Sequence, residues 1–113
     1  MRNVTVAAIQ MSIPETPEKS VEKAEKLVRK AAAEGANVIL LPELFENWYF
    51  CQERRYDSYK LALPLEENPA VRRFQAVAKE LSVALPISFY EQDGNVLYNS
   101  VAMIDADGSV MGV

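Results

Sequence analysis

Apolar and polar residues along the first third of the chain follow a pattern that predicts a strand, a helix and a second strand. Residues 3–11 are largely apolar on both alternating sets, as in a strand that is covered on both faces. From Thr16, an N-cap residue followed by Pro17, apolar positions recur at helical spacing. Gly35 stands where a left-handed cap ends such a helix, and the apolar run 38–41 predicts a central parallel strand.

The rest of the chain predicts one more helix and three more strands. Asn68-Pro69 opens the helix, whose apolar face continues to Leu81. Pro86 marks an edge or a bulge in the strand that follows. Residues 45–66 are irregular and rich in aromatic and charged side chains, and a loop of this length is usually functional or stabilised by a partner. The predicted strands and the turn pairs between them are 83–89, Asp93-Gly94, 96–104, Asp107-Gly108 and 110–113.

The order of these elements predicts an α/β fold. Strand, helix and parallel strand form a right-handed crossover unit. Two helices cannot cover both faces of a sheet of about five strands, so one apolar face is expected to be bare unless another element or chain covers it. The last strand reaches Val113 with no turn or cap after it. We therefore expect residues 1–113 to be the N-terminal part of a longer single domain; the alternative is a complete small α/β domain.

Composition narrows the classes of protein that fit. The chain has 113 residues, of which 50% are hydrophobic and 25% charged, as in folded globular proteins. Its net charge of −4 and lack of a basic cluster argue against nucleic-acid binding. No signal peptide core and no apolar run long enough to span a membrane are found, so we expect a cytoplasmic protein without membrane contact.

Glu43 is the strongest candidate for chemistry. It follows Pro42, which ends the predicted parallel strand, and ligands of open α/β sheets bind just outside such strand ends. Beside Leu44 and Phe45 we expect its carboxylate to be partly desolvated. Burial raises the pKa of a carboxyl group, which suits a general base. The alternative is a solvated loop carboxylate.

An acidic and aromatic cluster lies just beyond this position. A carboxylate and aromatic faces can together hold an amine cation, which makes Glu46, Trp48 and Tyr49 candidate substrate contacts. The alternative is that the aromatic side chains only attach the loop to the core.

Two other sites are weaker candidates. Cys51, the only cysteine, has no base or cation beside it in the sequence and is interpreted as a small buried hydrophobic residue. It cannot form an internal disulfide. Asn99 and Ser100 are polar residues within a predicted strand, and they either brace a site or join strands.

Three segments, taken in order, resemble the nitrilase superfamily of carbon-nitrogen hydrolases. They are residues 4–11, residues 33–44, and residues 98–101 together with 104–108. Within that superfamily, residues 43–52, together with 65–70 and 85–91, resemble the N-carbamoylputrescine amidases. The resemblance implies an α-β-β-α sandwich, with only its N-terminal portion present here, and protomers that pair into homo-oligomers.

The resemblance also implies a site of glutamate, lysine and cysteine in which Glu43 is the general acid/base. The lysine is expected shortly after the strand that begins at Ser109, and the cysteine later still, so neither falls within these residues. Cys51 does not match the family's nucleophile. The implied substrate is a small cationic ureido amine, with no metal or organic cofactor. The alternatives are another amidase of the superfamily, such as a β-ureidopropionase, or a non-catalytic binding module.

Overall fold

A computed structural model describes residues 2–14, 16–47 and 60–113, and it confirms the predicted order of strands and helices. We number the elements in chain order. They are β1 (Val6–Ala8), α1 (Pro17–Ala33), β2 (Val38–Leu40), a 3-10 turn (Leu65–Glu67), α2 (Pro69–Leu81), β3 (Leu85–Asp93), β4 (Val96–Ile104) and β5 (Val110–Gly112).

Both helices begin as their sequences predict. Thr16 accepts a hydrogen bond from the Lys19 N–H at 3.3 Å, and Asn68 accepts one from the Val71 N–H at 3.0 Å. Each cap is followed by a proline in the first helical turn, where the missing N–H costs nothing. The apolar faces of both helices pack on one side of the strands.

The strands form two hydrogen-bonded groups rather than the single continuous sheet that was expected. β1 and β2 pair in parallel, whereas β3, β4 and β5 are antiparallel. One bridge between Val38 and Ala84 joins the groups, with hydrogen bonds from Ile39 N–H to Ala84 and from Ala84 N–H to Asn37. The next donor of β3 on that side would belong to residue 86, which is proline, and the pairing stops there.

Two strand predictions need correction. β1 is confined to Val6–Ala8 and is not covered on both faces, because Val6 is 71% exposed. β3 begins at Leu85 rather than at residue 83 and continues to Asp93, because the hairpin with β4 extends its pairing up to the turn at Gly94.

The core lies between the helices and one face of the strands. It contains Ile39 from β2, Phe74 from α2 and Leu85 and Ile104 from the hairpin, all fully buried. The opposite face is largely uncovered among the described residues, as the small number of helices predicts. We call this the open face; it carries exposed Val6, Leu40, Val101 and Met103. Within the described part of the chain, no helix is long and apolar enough to cross a membrane.

Candidate active site

Glu43 lies in the turn that follows the C-terminal end of β2. Leu41 is buried, whereas Glu43 is exposed. The prediction that the carboxylate of Glu43 is partly desolvated is therefore wrong among the described residues. Its exposure fits its place beside the open face, which no helix covers among residues 2–14, 16–47 and 60–113. Asn99 of β4 donates its side-chain amide N–H to Glu43 Oε1 at 2.5 Å.

The turn after Glu43 depends on an unusual backbone conformation. Leu44 has a φ of +50°, in the left-handed region that costs a residue with a Cβ about 1–2 kcal/mol. Its N–H donates to the Oγ of Ser88, a buried residue of β3, at 2.9 Å. This hydrogen bond offsets part of the strain and fixes the turn against the hairpin.

Phe45 anchors the same segment in the core. Its ring is fully buried and meets the ring of Phe74 edge to face, with the centroids 5.7 Å apart. Its carbonyl oxygen accepts a hydrogen bond from the hydroxyl of Ser20, a buried residue of α1. The residues on either side of Leu44 therefore diverge: Glu43 reaches the open face, and Phe45 enters the helical layer.

Glu46 also lies on the helical side. Its Oε2 accepts a hydrogen bond from Asn68, the N-cap of α2, at 3.2 Å. It lines a cleft of 160 Å³ together with Glu18 and Arg73, between the first turns of the two helices. Burial raises the pKa of Glu46 above its ordinary value; the hydrogen bond from Asn68 opposes the rise, and the charge of Glu18 adds to it.

The structure thus gives the two candidate carboxylates different partners. Glu43 contacts the β3–β4 hairpin, whereas Glu46 contacts α2. Trp48, Tyr49 and Cys51 lie outside the described residues.

Three polar residues support the segment around Glu43. The sequence indicated one of them weakly and the other two not at all. Asn99 was one of two polar candidates in β4; it is exposed rather than buried, and its partner is Glu43. Its neighbour Ser100 donates to Glu91 instead. Ser88 and Ser20 were missed. Each is a single hydroxyl among apolar residues, one in a predicted strand and one on a predicted helix face. A buried hydroxyl requires a hydrogen-bond partner, and that rule could have identified both residues.

An exposed carboxylate with an amide donor on one oxygen can accept a proton through the other. A carboxylate of this kind is chemically able to act as a base. Among the residues that the structure describes, no group of three or more His, Cys, Asp or Glu side chains could hold a metal ion.

Comparison with known proteins places the chain in a family. The carbon-nitrogen hydrolase family profile matches residues 5–113, and the chain belongs to that family. It is 48% identical over 110 residues to an N-carbamoylputrescine amidase of Oryza sativa subsp. japonica, covering 97% of this chain and 36% of the relative. It is 46% identical over 112 residues to the protein of that name from Arabidopsis thaliana, covering 99% and 38%. A citrullinase of Francisella tularensis is 42% identical over 113 residues, covering 100% and 40%.

Solved structures show the same fold. A carbon-nitrogen hydrolase from Helicobacter pylori G27 superposes with a TM-score of 0.87 at 24% identity, over 96% of this chain and 38% of that one. Saccharomyces cerevisiae Nit3, a member of the nitrilase superfamily, gives a TM-score of 0.79 at 19% identity, over 96% and 42%. The nitrilase-type fold is thereby confirmed, and the chain spans 36–40% of the length of these curated relatives.

Proposed function

We propose that the polypeptide that carries these residues hydrolyses N-carbamoylputrescine to putrescine, carbon dioxide and ammonia, as a step of polyamine biosynthesis. The observation that carries the proposal is the 46–48% identity to proteins named N-carbamoylputrescine amidase, sustained over 97–99% of the chain. The geometry around Glu43 agrees with it, because the carboxylate lies at the end of a parallel strand, where ligands of α/β sheets bind.

In this proposal Glu43 is the general base. It takes the proton of a cysteine thiol, and the thiolate attacks the ureido carbonyl while a lysine and backbone N–H groups stabilise the oxyanion. Glu43 returns that proton to the leaving nitrogen, and ammonia departs to give a carbamoyl thioester. Glu43 then takes a proton from water, which attacks the thioester and expels the cysteine sulfur, and the carbamate that is released decomposes to carbon dioxide and the free amine. The resemblance assigns the lysine and the cysteine to positions after Val113, and Cys51 has no part in the reaction.

Replacing Glu43 by Gln in the full-length polypeptide tests this role. We expect kcat/KM for ammonia release from N-carbamoylputrescine to fall by about 10²–10⁴-fold, the usual contribution of a general base. Glu66→Gln is the matched control, because Glu66 is an exposed glutamate in the 3-10 turn. Full activity of the Glu43 variant would rule out the proposed chemistry.

The distal ammonium of the substrate is assigned to Glu46, Trp48 and Tyr49. Glu46 already accepts a hydrogen bond from Asn68, so Glu46→Gln tests two roles at once. A higher KM for N-carbamoylputrescine, with an unchanged KM for an uncharged ureido compound, would support contact with the ammonium. An unchanged KM would leave Glu46 with a structural role only.

The citrullinase relative favours a second candidate substrate. It matches the whole chain at 42% identity, and citrulline also carries a ureido group but ends in an amino acid. N-carbamoyl-β-alanine, the β-ureidopropionase substrate, ends in a carboxylate alone. We expect kcat/KM to be highest for N-carbamoylputrescine when the three compounds are compared, and a preference for either acid would reassign the substrate.

We further propose that the protein is cytoplasmic and forms homo-oligomers, and that residues 1–113 alone are inactive. Light scattering of the full-length polypeptide tests the oligomer. A non-catalytic binding module remains the alternative from another class. It would be favoured if the natural polypeptide, assayed with all three ureido compounds, released no ammonia.

A further inference from the structure

The β3–β4 hairpin holds the segment that carries Glu43 at two points. Ser88 accepts the Leu44 N–H at 2.9 Å and fixes the backbone, whereas Asn99 donates to Glu43 Oε1 at 2.5 Å and fixes the carboxylate. Ser88 is opposite Val101 in the pairing of the two strands, and Asn99 lies two residues before Val101 in β4, on the same face. The hairpin therefore offers one anchor for the chain and one for its functional group.

The helices hold the other side of the segment. The carbonyl of Phe45 accepts a hydrogen bond from the Ser20 hydroxyl, and its ring packs against that of Phe74. With the backbone fixed from both sides, the freedom that remains at Glu43 is that of its own side chain. Among the residues that the structure describes, the amide of Asn99 contacts the carboxylate and restricts that side chain.

We propose that Asn99 is the positioning residue of Glu43, a role that rests on the proposed function. The amide N–H donates to one oxygen of the carboxylate, and this contact orients the group. By occupying Oε1 it leaves Oε2 as the oxygen that receives the proton. A base must be held within a fraction of an ångström of its target, and a freely rotating glutamate on an open face would not be.

Replacement of Asn99 in the full-length polypeptide tests the assignment. We expect Asn99→Ala to lower kcat by about 10- to 100-fold with little change in KM. Asn99→Asp, which keeps the size of the side chain but replaces the amide donor by a second carboxylate, should lower kcat at least as much, again with little change in KM.

Gln92→Ala is the matched control. Gln92 is in the same hairpin, and its amide donates to the Gly94 carbonyl at 3.3 Å, away from Glu43. It should retain kcat and KM, with a melting temperature close to that of Asn99→Ala.

Two outcomes would overturn the assignment. If Asn99→Ala and Gln92→Ala behave alike while Glu43→Gln is inactive, Asn99 is only structural and the proposed function stands. If Glu43→Gln itself is active, the proposed function and the positioning role both fall.

Discussion

The contact between Glu46 and Asn68 leads to a stability prediction that can be worked out in some detail. Asn68 is 2% exposed, caps α2 through the Val71 N–H, and donates its amide to the Glu46 carboxylate at 3.2 Å. Asparagine and aspartate are equally good N-caps, so Asn68→Asp keeps the cap. The contact with Glu46 changes, because the amide that donates to its carboxylate is replaced by a second carboxylate.

The size of the effect is limited by protonation. Two charges about 3 Å apart repel by roughly 5 kcal/mol at an effective dielectric constant of about 20. Taking up one proton avoids that repulsion, and at pH 7 a carboxyl group with an ordinary pKa of about 4 does so at a cost of about 4 kcal/mol. The protonated aspartate can then donate to Glu46. We therefore expect Asn68→Asp to destabilise the protein by about 2–4 kcal/mol, which lowers the melting temperature by roughly 5–10 °C.

The loss of stability caused by Asn68→Asp should depend on pH in a defined direction. A carboxyl group whose pKa is raised in the folded state contributes stability below its ordinary pKa and loses it as the pH rises. Glu46 is already in that class, and Asn68→Asp raises the shared pKa further. The difference in melting temperature between the variant and the parent should therefore close as the pH falls toward about 4.5.

Thermal unfolding of the full-length polypeptide, followed by circular dichroism across this pH range, is the assay. Thr16→Asp is the matched control, because Thr16 caps α1 through the Lys19 N–H and has the same proline after it. It should change the melting temperature little. A deficit for Asn68→Asp that is absent at pH 7, or that does not depend on pH, would refute the reasoning.

Two further predictions concern the turns and the helix surface. Gly108→Ala should destabilise by about 2–5 kcal/mol, because at a φ of +88° its Cβ would lie 2.8 Å from the Gln75 carbonyl oxygen. Gly94→Ala, with a φ of +60° and open space, should cost only about 1–2 kcal/mol, and an equal loss in urea titrations would contradict the clash. Burial raises the pKa of Glu25, but hydrogen bonds from Arg73 and Arg29 outweigh it and hold that pKa low. Glu25→Gln should therefore lower the free energy of unfolding by up to about 1 kcal/mol at pH 7. In acid it should have no effect, because the parent protein loses the same stabilisation when its carboxylate is protonated. A loss of stability that does not depend on pH would contradict this.

Local chemistry explains why most of the fold could be predicted. Thr16-Pro17 and Asn68-Pro69 are complete helix starts, and Gly94 and Gly108 take the positive φ that their turns require. The bare sheet face also followed from the elements, because two amphipathic helices supply only one layer.

The errors arose where distant residues decide the structure. Val6 of β1 is exposed on the open face because no described element packs against it there, and residues 3–11 carry no information about that. The sequence predicted Pro86 as an edge or bulge, but only the pairing with β2 shows that it ends the bridge between the two groups of strands.

The site was predictable as a position but not as a geometry. Pro42 and the apolar run before it locate Glu43 at a strand end. Leucine rarely adopts a left-handed conformation, so nothing at Leu44 signals the turn that separates Glu43 from Phe45. The support from Ser88 and Asn99 comes from residues that follow more than 40 positions later.

The junction at Val38 and Ala84 has a consequence for the order in which the site assembles. β3 and β4 are joined by a tight turn, and a hairpin of this kind forms from local contacts within microseconds. β1 and β2 are separated by the whole of α1, and such non-local parallel pairing is intrinsically slower. Glu43 belongs to the slow half and Asn99 to the fast half. Their hydrogen bond, spanning 56 residues, forms only when the halves dock, so the appearance of that contact would mark the completion of folding in this part of the chain.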